Sequence, residues 1–176
     1  AKINDDIYVS GNLGDSYLGL LVLKNKIKLN PKLKKYFTNQ YFMPNIQLKL
    51  TDQIKKFANT SIDISDGLLA DLDKMINCQK LSYKLFLQDI PISNNLKKIL
   101  VLKNLSKINC ISNGDDYQVL FTASKNKMRI IKKIAYNCRV KLTKIGSIQN
   151  LAQKSSIIDD KNRQITLKNK GYFHKF

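Results

Sequence analysis

Not one of the 176 residues is glutamate, so all 13 acids are aspartate. No helix can therefore be laced with Glu–Lys pairs. Aspartate favours caps, turns and polar sites over helix interiors, so each acid marks an element end or a place of chemistry. Cysteine and histidine are scarce: Cys78, Cys110 and Cys138 stand singly with no C-x-x-C pair, and His174 is the only histidine. That excludes a Cys/His zinc site and implies free, half-buried thiols in a reducing cytosol. With 7 Gly, 3 Pro and 43% hydrophobic residues the chain is neither collagen-like nor disordered. The longest apolar run, Leu18 to Leu23, is interrupted by Gly19 and is far too short to span a bilayer. Residues Ala1 to Asp6 lack the apolar core of a signal peptide. Neither a G-x-x-x-x-G-K-[ST] loop nor a G-x-G-x-x-G motif is present. The expectation is a soluble, cytoplasmic chain with no membrane partner, readable as a piece of a longer protein.

What is abundant is positive charge: 31 basic against 13 acidic residues give a net +18. Such a balance raises a nucleic-acid partner. Yet only Arg129, Arg139 and Arg163 are arginines, and the lysines are spread from Lys2 to Lys175. Base reading and bidentate phosphate clamps prefer Arg, so a lysine-rich composition explains the charge better than a polyanion does.

Periodicity predicts mixed strands and helices in a single domain. Asp6 to Ser10 reads as a strand closed by Gly11-Asn12-Leu13-Gly14, with a helix starting at Asp15 and Ser16. Pro31 suits the first turn of a second helix, and Asn45 to Asn59 carries a helical stripe. Ser61 to Ile64 is a strand leading into a helix with Leu68, Leu72, Met75 and Ile76 on one face. Strands follow at Tyr83–Leu87, Tyr117–Ala123, Val140–Ile148 and around Ile157 and Ile165, with helices at Asn94–Leu105 and from Met128 to Ala135. The fold class expected is α+β, a three-layer α/β/α sandwich on a mixed sheet.

Two segments carry chemistry. In Ile62-Asp63-Ile64-Ser65-Asp66-Gly67-Leu68 a strand feeds a helix, whose N-terminal N–H groups favour a phosphate. Asp63 and Asp66 are hard oxygen ligands of the kind Mg²⁺ takes, and Ser65 can donate to a phosphate oxygen. The same residues also read as plain capping, with Ser65 as N-cap and Asp63 bonding to backbone. In Ser112-Asn113-Gly114-Asp115-Asp116-Tyr117-Gln118, Asn-Gly is a hairpin signal and the acids could decorate a solvated loop. Against that, adjacent carboxylates entering a buried strand need a cation or donors. If the segments share one site, Asp63, Asp66 and Asp115 converge on one cleft edge.

In order along the chain, these segments resemble the second half of thiamine-monophosphate kinases, in the wider family of aminoimidazole ribonucleotide synthetase. The matching stretches are Asp6 to Gly11, Gly14-Asp15-Ser16, Ile62 to Leu69 with Asp71-Leu72, Gly114 to Phe121, Ile145-Gly146 and Lys170-Gly171-Tyr172 with Phe176. The resemblance implies that residues 1–176 are a C-terminal domain and that the activity is ATP- and Mg²⁺-dependent phosphorylation of thiamine monophosphate to thiamine diphosphate. It further implies Asp63 and Asp66 as metal ligands, Ser65 as an ATP-phosphate contact, Asp115 as a substrate contact and Tyr172 as an aromatic surface at the thiamine end. Phosphoryl transfer needs positioning and charge neutralisation rather than a covalent nucleophile, and none is apparent. An N-terminal half, similar to no part of this chain, would hold most nucleotide and metal ligands and form the dimer, which leaves this chain inactive alone.

The chain departs from the family pattern twice. The family's GG-[DE]-D-Y-E reads Asn113-Gly114-Asp115-Asp116-Tyr117-Gln118, and its Arg-Pro-x-Pro-Arg-like segment reads Met43-Pro44-Asn45-Ile46-Gln47. The alternatives are a non-catalytic homologue that keeps the fold and a basic nucleic-acid-binding module.

Overall fold

Every residue from Asp6 to Ser10 is buried, yet consecutive side chains serve different neighbours: Ile7 and Val9 enter one hydrophobic core and Tyr8 enters another. A strand buried on both faces must lie inside a sheet covered on both sides. The computed structural model describes residues 1–77 and 79–165, which place Cys78 and everything after Ile165, including Tyr172 and His174, outside the described residues. The elements run β1 (Asp6–Ser10), α1 (Asp15–Leu23), α2 (Pro31–Phe42), α3 (Leu48–Ile54), β2 (Thr60–Asp63), α4 (Leu68–Met75), β3 (Leu81–Phe86), α5 (Asn94–Leu102), α6 (Lys107–Ile111), β4 (Val119–Ala123), α7 (Met128–Cys138), β5 (Leu142–Asn150) and β6 (Ser156–Ile158).

The sheet order is β2-β4-β1-β5-β3-β6, antiparallel at every junction except the parallel β3–β6 pair, so the sheet is mixed. One face carries α1, α2, α4, α5 and α6 through Leu18, Phe37, Leu72, Leu96 and Ile108. The other carries α3 and α7 through Leu50, Ile54, Ile131 and Ile134, around a stack of Tyr8 on Phe121 with ring centroids 5.3 Å apart. This is the expected three-layer α+β domain. A bulge opposite Ile7 and Tyr8 leaves Ile145 unpaired in β5, and the shift lets Ile145 and Ile148, an odd number apart, face the same core. Among the described residues no helix is long and apolar enough to cross a membrane. Cys110 is buried and Cys138 half-buried, both as free thiols.

Element ends differ from the periodicity where left-handed residues or pairing intervene. The helix expected from Asn45 to Asn59 is only Leu48–Ile54, because by Asn59 the chain is already bonded to Thr122 of the neighbouring strand. Asn104 at φ 48° closes α5 at Leu102, and Tyr117 at φ 50° delays β4 to Val119. Ile165 bonds to Ile157 but belongs to no strand, and the five-residue α6 is too short for a helical period to reveal.

Candidate functional site

After β2 the chain turns through Ile64–Gly67 into α4, and α4 supplies the anchor for its own approach. Asp71, fully buried, accepts at Oδ2 from the backbone N–H of Ser65 (2.9 Å), Asp66 (2.8 Å) and Gly67 (3.1 Å). One helical step on, Lys74 pairs with Asp71 Oδ1 at 3.0 Å and also with the Asp66 carboxylate. The helix begins at Leu68 behind Gly67, with no side-chain cap. Ser65 is therefore not the N-cap that the capping reading requires. Asp71 does the corresponding work from inside the helix, a role that only its place four residues after Gly67 could have signalled.

The loop Asn113–Gln118 runs directly against this turn. Ile64 N–H donates to the Gln118 carbonyl, Tyr117 N–H to Ile64, and Asp115 N–H to Ser65, each at 2.9 Å, so the β2–β4 ladder continues past both strands into the two loops. The contact is backbone on backbone and depends on two glycines. A Cβ at Gly67 would lie 2.3 Å from the Ser112 carbonyl oxygen, and one at Gly114 would lie 2.2 Å from that of Ser65. Gly67 has φ 115° and Gly114 φ 71°, conformations that disfavour any side chain. The Asn113-Gly114 turn therefore joins α6 to β4 rather than forming a hairpin.

The adjacent acids of this loop part company. Asp116 turns inward, accepting from Gly14 N–H (2.8 Å) and Ser16 N–H (3.3 Å) at the start of α1. Burial pushes its carboxyl up to about 7 in spite of those donors. Beside it, buried Asp15 accepts from the Ser93 and Tyr36 hydroxyls at 2.7 and 2.8 Å, and burial raises its carboxyl also. Backbone donors satisfy the inward member of the crowded pair. Asp115, at φ 63°, instead points outward, and its carboxyl is raised first by burial and then by the charge of Asp66.

Ser65, Asp66, Asn113, Asp115 and Tyr117 form one side of a cleft of about 670 Å³. The opposite side comes from α1, α2 and the turn after α1, through Tyr17, Leu20, Lys24, Lys26 and Tyr41. Three of the site residues expected from sequence, Ser65, Asp66 and Asp115, thus share one cleft at the edge where β2 ends and β4 begins. Asp63 does not line it: paired with Val119, it is exposed on the sheet face that carries α3 and α7. Tyr172 lies outside the described residues. Among the described residues no group of three or more metal-ligating side chains occurs. The cleft acids are hard oxygen donors, and the Lys74 ammonium already shows the Asp66 and Asp71 carboxylates accommodating a cation. That donor set fits Mg²⁺ held by one or two carboxylates with phosphate oxygens and water, not a cage made by this chain alone.

The two departures from the family pattern meet in space. Buried Gln118 accepts from Ser10 Oγ at 2.7 Å and donates to the Asn45 carbonyl at 3.3 Å. A carboxylate at position 118 could not make the second bond. The amide therefore fastens the altered segment before α3 to the loop that precedes β4.

No family model matches the chain. Among curated proteins it is similar to the thiamine-monophosphate kinase of Buchnera aphidicola subsp. Acyrthosiphon pisum, at 35% identity over 178 residues covering 99% of this chain and 54% of that protein. The Aquifex aeolicus thiamine-monophosphate kinase is 31% identical over 85% of this chain and 46% of its own length. Among solved structures, AaThiL complexed with AMPPCP and TMP superposes with a TM-score of 0.78 at 26% identity, covering 98% of this chain and 52% of that one. A HypE structure from E. coli, at 12% identity and a TM-score of 0.75, shares the fold. The chain spans about half the length of the curated relatives it matches. In sequence and fold, the chain corresponds to the C-terminal domain of thiamine-monophosphate kinases.

Proposed function

We propose that this chain forms one wall of the site in an enzyme that transfers the γ-phosphoryl group of ATP to thiamine monophosphate, giving thiamine diphosphate. The observation that carries the reading is the junction of the two motif loops, which sets Ser65, Asp66 and Asp115 along a single cleft. The solved relative with AMPPCP and TMP supports the same pair of ligands here. Ser65 contacts a nucleotide phosphate, Asp115 contacts thiamine monophosphate, and Tyr172 offers an aromatic surface at the thiamine end. Asp66 holds Mg²⁺, which neutralises phosphate charge during transfer; Asp63, on the opposite face of the sheet, does not share that ion in the cleft. Asp71 and Asp116 touch neither ligand; they keep the two loops in register. The other half of the family's length supplies the remaining nucleotide and metal ligands and the dimer contact, so the 176-residue chain alone turns nothing over. The setting is cytoplasmic.

The test is formation of thiamine diphosphate from ATP, Mg²⁺ and thiamine monophosphate. This chain alone gives none above background, whereas joined to the N-terminal half of the Buchnera relative it does. A folded joined protein without product, beside an active parent enzyme, contradicts the reading.

A further inference from the structure

We propose that the outward face of α7 binds a single strand of nucleic acid, with Arg129, Lys132 and Lys133 along the phosphates and Tyr136 and Arg139 offering flat surfaces on which a base stacks. The face lies across the sheet from α1 and α2, which wall the cleft, so the proposal stands apart from the kinase reading.

A lysine-rich composition explains how many cations the chain carries, but it predicts no particular arrangement of them. Around α7 they are arranged. From Tyr117 to Ile158 the chain holds no acid, while Lys125, Lys127, Arg129, Lys132, Lys133 and Arg139 stand exposed in the short turn before the helix, on it and at its end. Ile131 and Ile134 face the core, so Arg129, Lys132, Lys133 and Tyr136, spaced as helical neighbours, share the opposite face. Among the described residues none of these bases has an ion-pair partner. The acid of the neighbouring helix α3, Asp52, is already paired with Lys55 at 3.0 Å.

Tyr136 and Arg139 are what composition leaves unexplained. Tyr136 is 85% exposed, and its ring belongs to neither hydrophobic core. Arg139 sits just past the helix at φ 54°, where Val140 N–H returns to the Ala135 carbonyl at 3.0 Å, and glycine is the usual residue at such a position. The fold therefore tolerates a left-handed arginine here, although outside this helix and its end the chain has only Arg163. Both side chains line one hollow of about 610 Å³ at the end of α7. An aromatic ring and a guanidinium plane beside a row of cations are the two parts of a single-strand site, stacking surfaces for bases and charge for the backbone. A lipid surface requires a broad exposed apolar face, whereas that of α7 lies in the core and leaves Met128 and Ile130 outside.

Fluorescence anisotropy of labelled oligouridylate, oligodeoxythymidylate and duplex RNA with this chain, beside co-sedimentation with phosphatidylglycerol vesicles, tests the proposal. A single strand is expected to bind more tightly than the duplex, and the tighter of the two single strands identifies the source. Tyr136→Ala weakens single-strand binding by about tenfold and leaves its salt dependence unchanged. A Lys132→Ala, Lys133→Ala double variant instead lowers the slope of log affinity against log salt by about 1.4. Arg139→Gly, which suits the left-handed position and so keeps the Tm, also weakens the single strand. A control with Lys32→Ala, Lys34→Ala and Lys35→Ala at the start of α2 removes charge elsewhere and changes affinity by no more than about twofold. Failure to bind either single strand overturns the inference, as does an equal loss from the α2 control and the α7 variants. Duplex or vesicles bound as tightly as the single strands overturn it too. None of these outcomes touches the kinase reading, which rests on product formation.

Discussion

Asp66 in the first loop and Asp71 in α4 behind it form one pair of aspartates, Asp115 and Asp116 of the second loop form another, and within each pair the two acids do opposite things. Asp71 and Asp116 face inward and accept backbone N–H groups, three for the first and two for the second. Asp66 and Asp115 line the cleft, where burial first and then the charge of Asp66 raise the Asp115 carboxyl. Sequence proximity to a motif therefore says little about role. What separates the acids is whether backbone donors or a cavity stand in front of them.

The sharpest way to break the distinction is Asp71→Ala, which strands three N–H groups and leaves the Lys74 ammonium with Asp66 alone. Each buried donor left unsatisfied costs about 1–3 kcal/mol, so a loss of about 3 kcal/mol or more is expected in denaturant unfolding. A loss comparable to that of an ordinary surface substitution would place Asp71 among the ligand-facing acids instead.

Next in size is the pH dependence set by Asp116. Its carboxyl is raised from the unfolded value to about 7, so between those values the native state binds a proton that the unfolded state has released. Stability is then greatest below about 4, falls as pH rises, and levels off above about 7, a change on the order of 4 kcal/mol. The raised carboxyls of Asp15 and Asp115 act in the same direction. Asp116→Asn should flatten the slope between pH 4 and 7; an unchanged slope assigns the titration elsewhere.

Smaller is Gly114→Ala, which puts a Cβ against the Ser65 carbonyl in a left-handed residue. A cost of about 1–3 kcal/mol is expected, together with weaker hydrogen-exchange protection of the Asp115 and Tyr117 amides. Undisturbed protection of both amides would mean that the loops are held together by other contacts.

Much of the fold was legible because its signals are local. β1 and the starts of α1, α2, α5 and α7 fall where alternation, Pro31 or the apolar stripe placed them. The ends were less legible, because Asn104, Tyr117 and the Asn59 pairing act through conformation and neighbours rather than through periodicity. In the site, the motif spacing marked Ser65, Asp66 and Asp115, but strand register decides that Asp63 faces the other side of the sheet. Asp71 and Tyr117 fell inside the quoted motifs with no role assigned, and Lys24, Lys26, Tyr17 and Tyr41 were not marked, since only the folded chain brings α1 and α2 against the loops.

The most direct test of the account is product formation by Asp66→Asn and Asp115→Asn variants in the enzyme joined to the N-terminal half of a relative, read beside their unfolding free energies. The account predicts stability within about 1 kcal/mol of the parent and a fall in thiamine diphosphate formation of about 100-fold or more. Parental turnover in both variants, or a loss of activity that simply tracks a loss of folding, would contradict it.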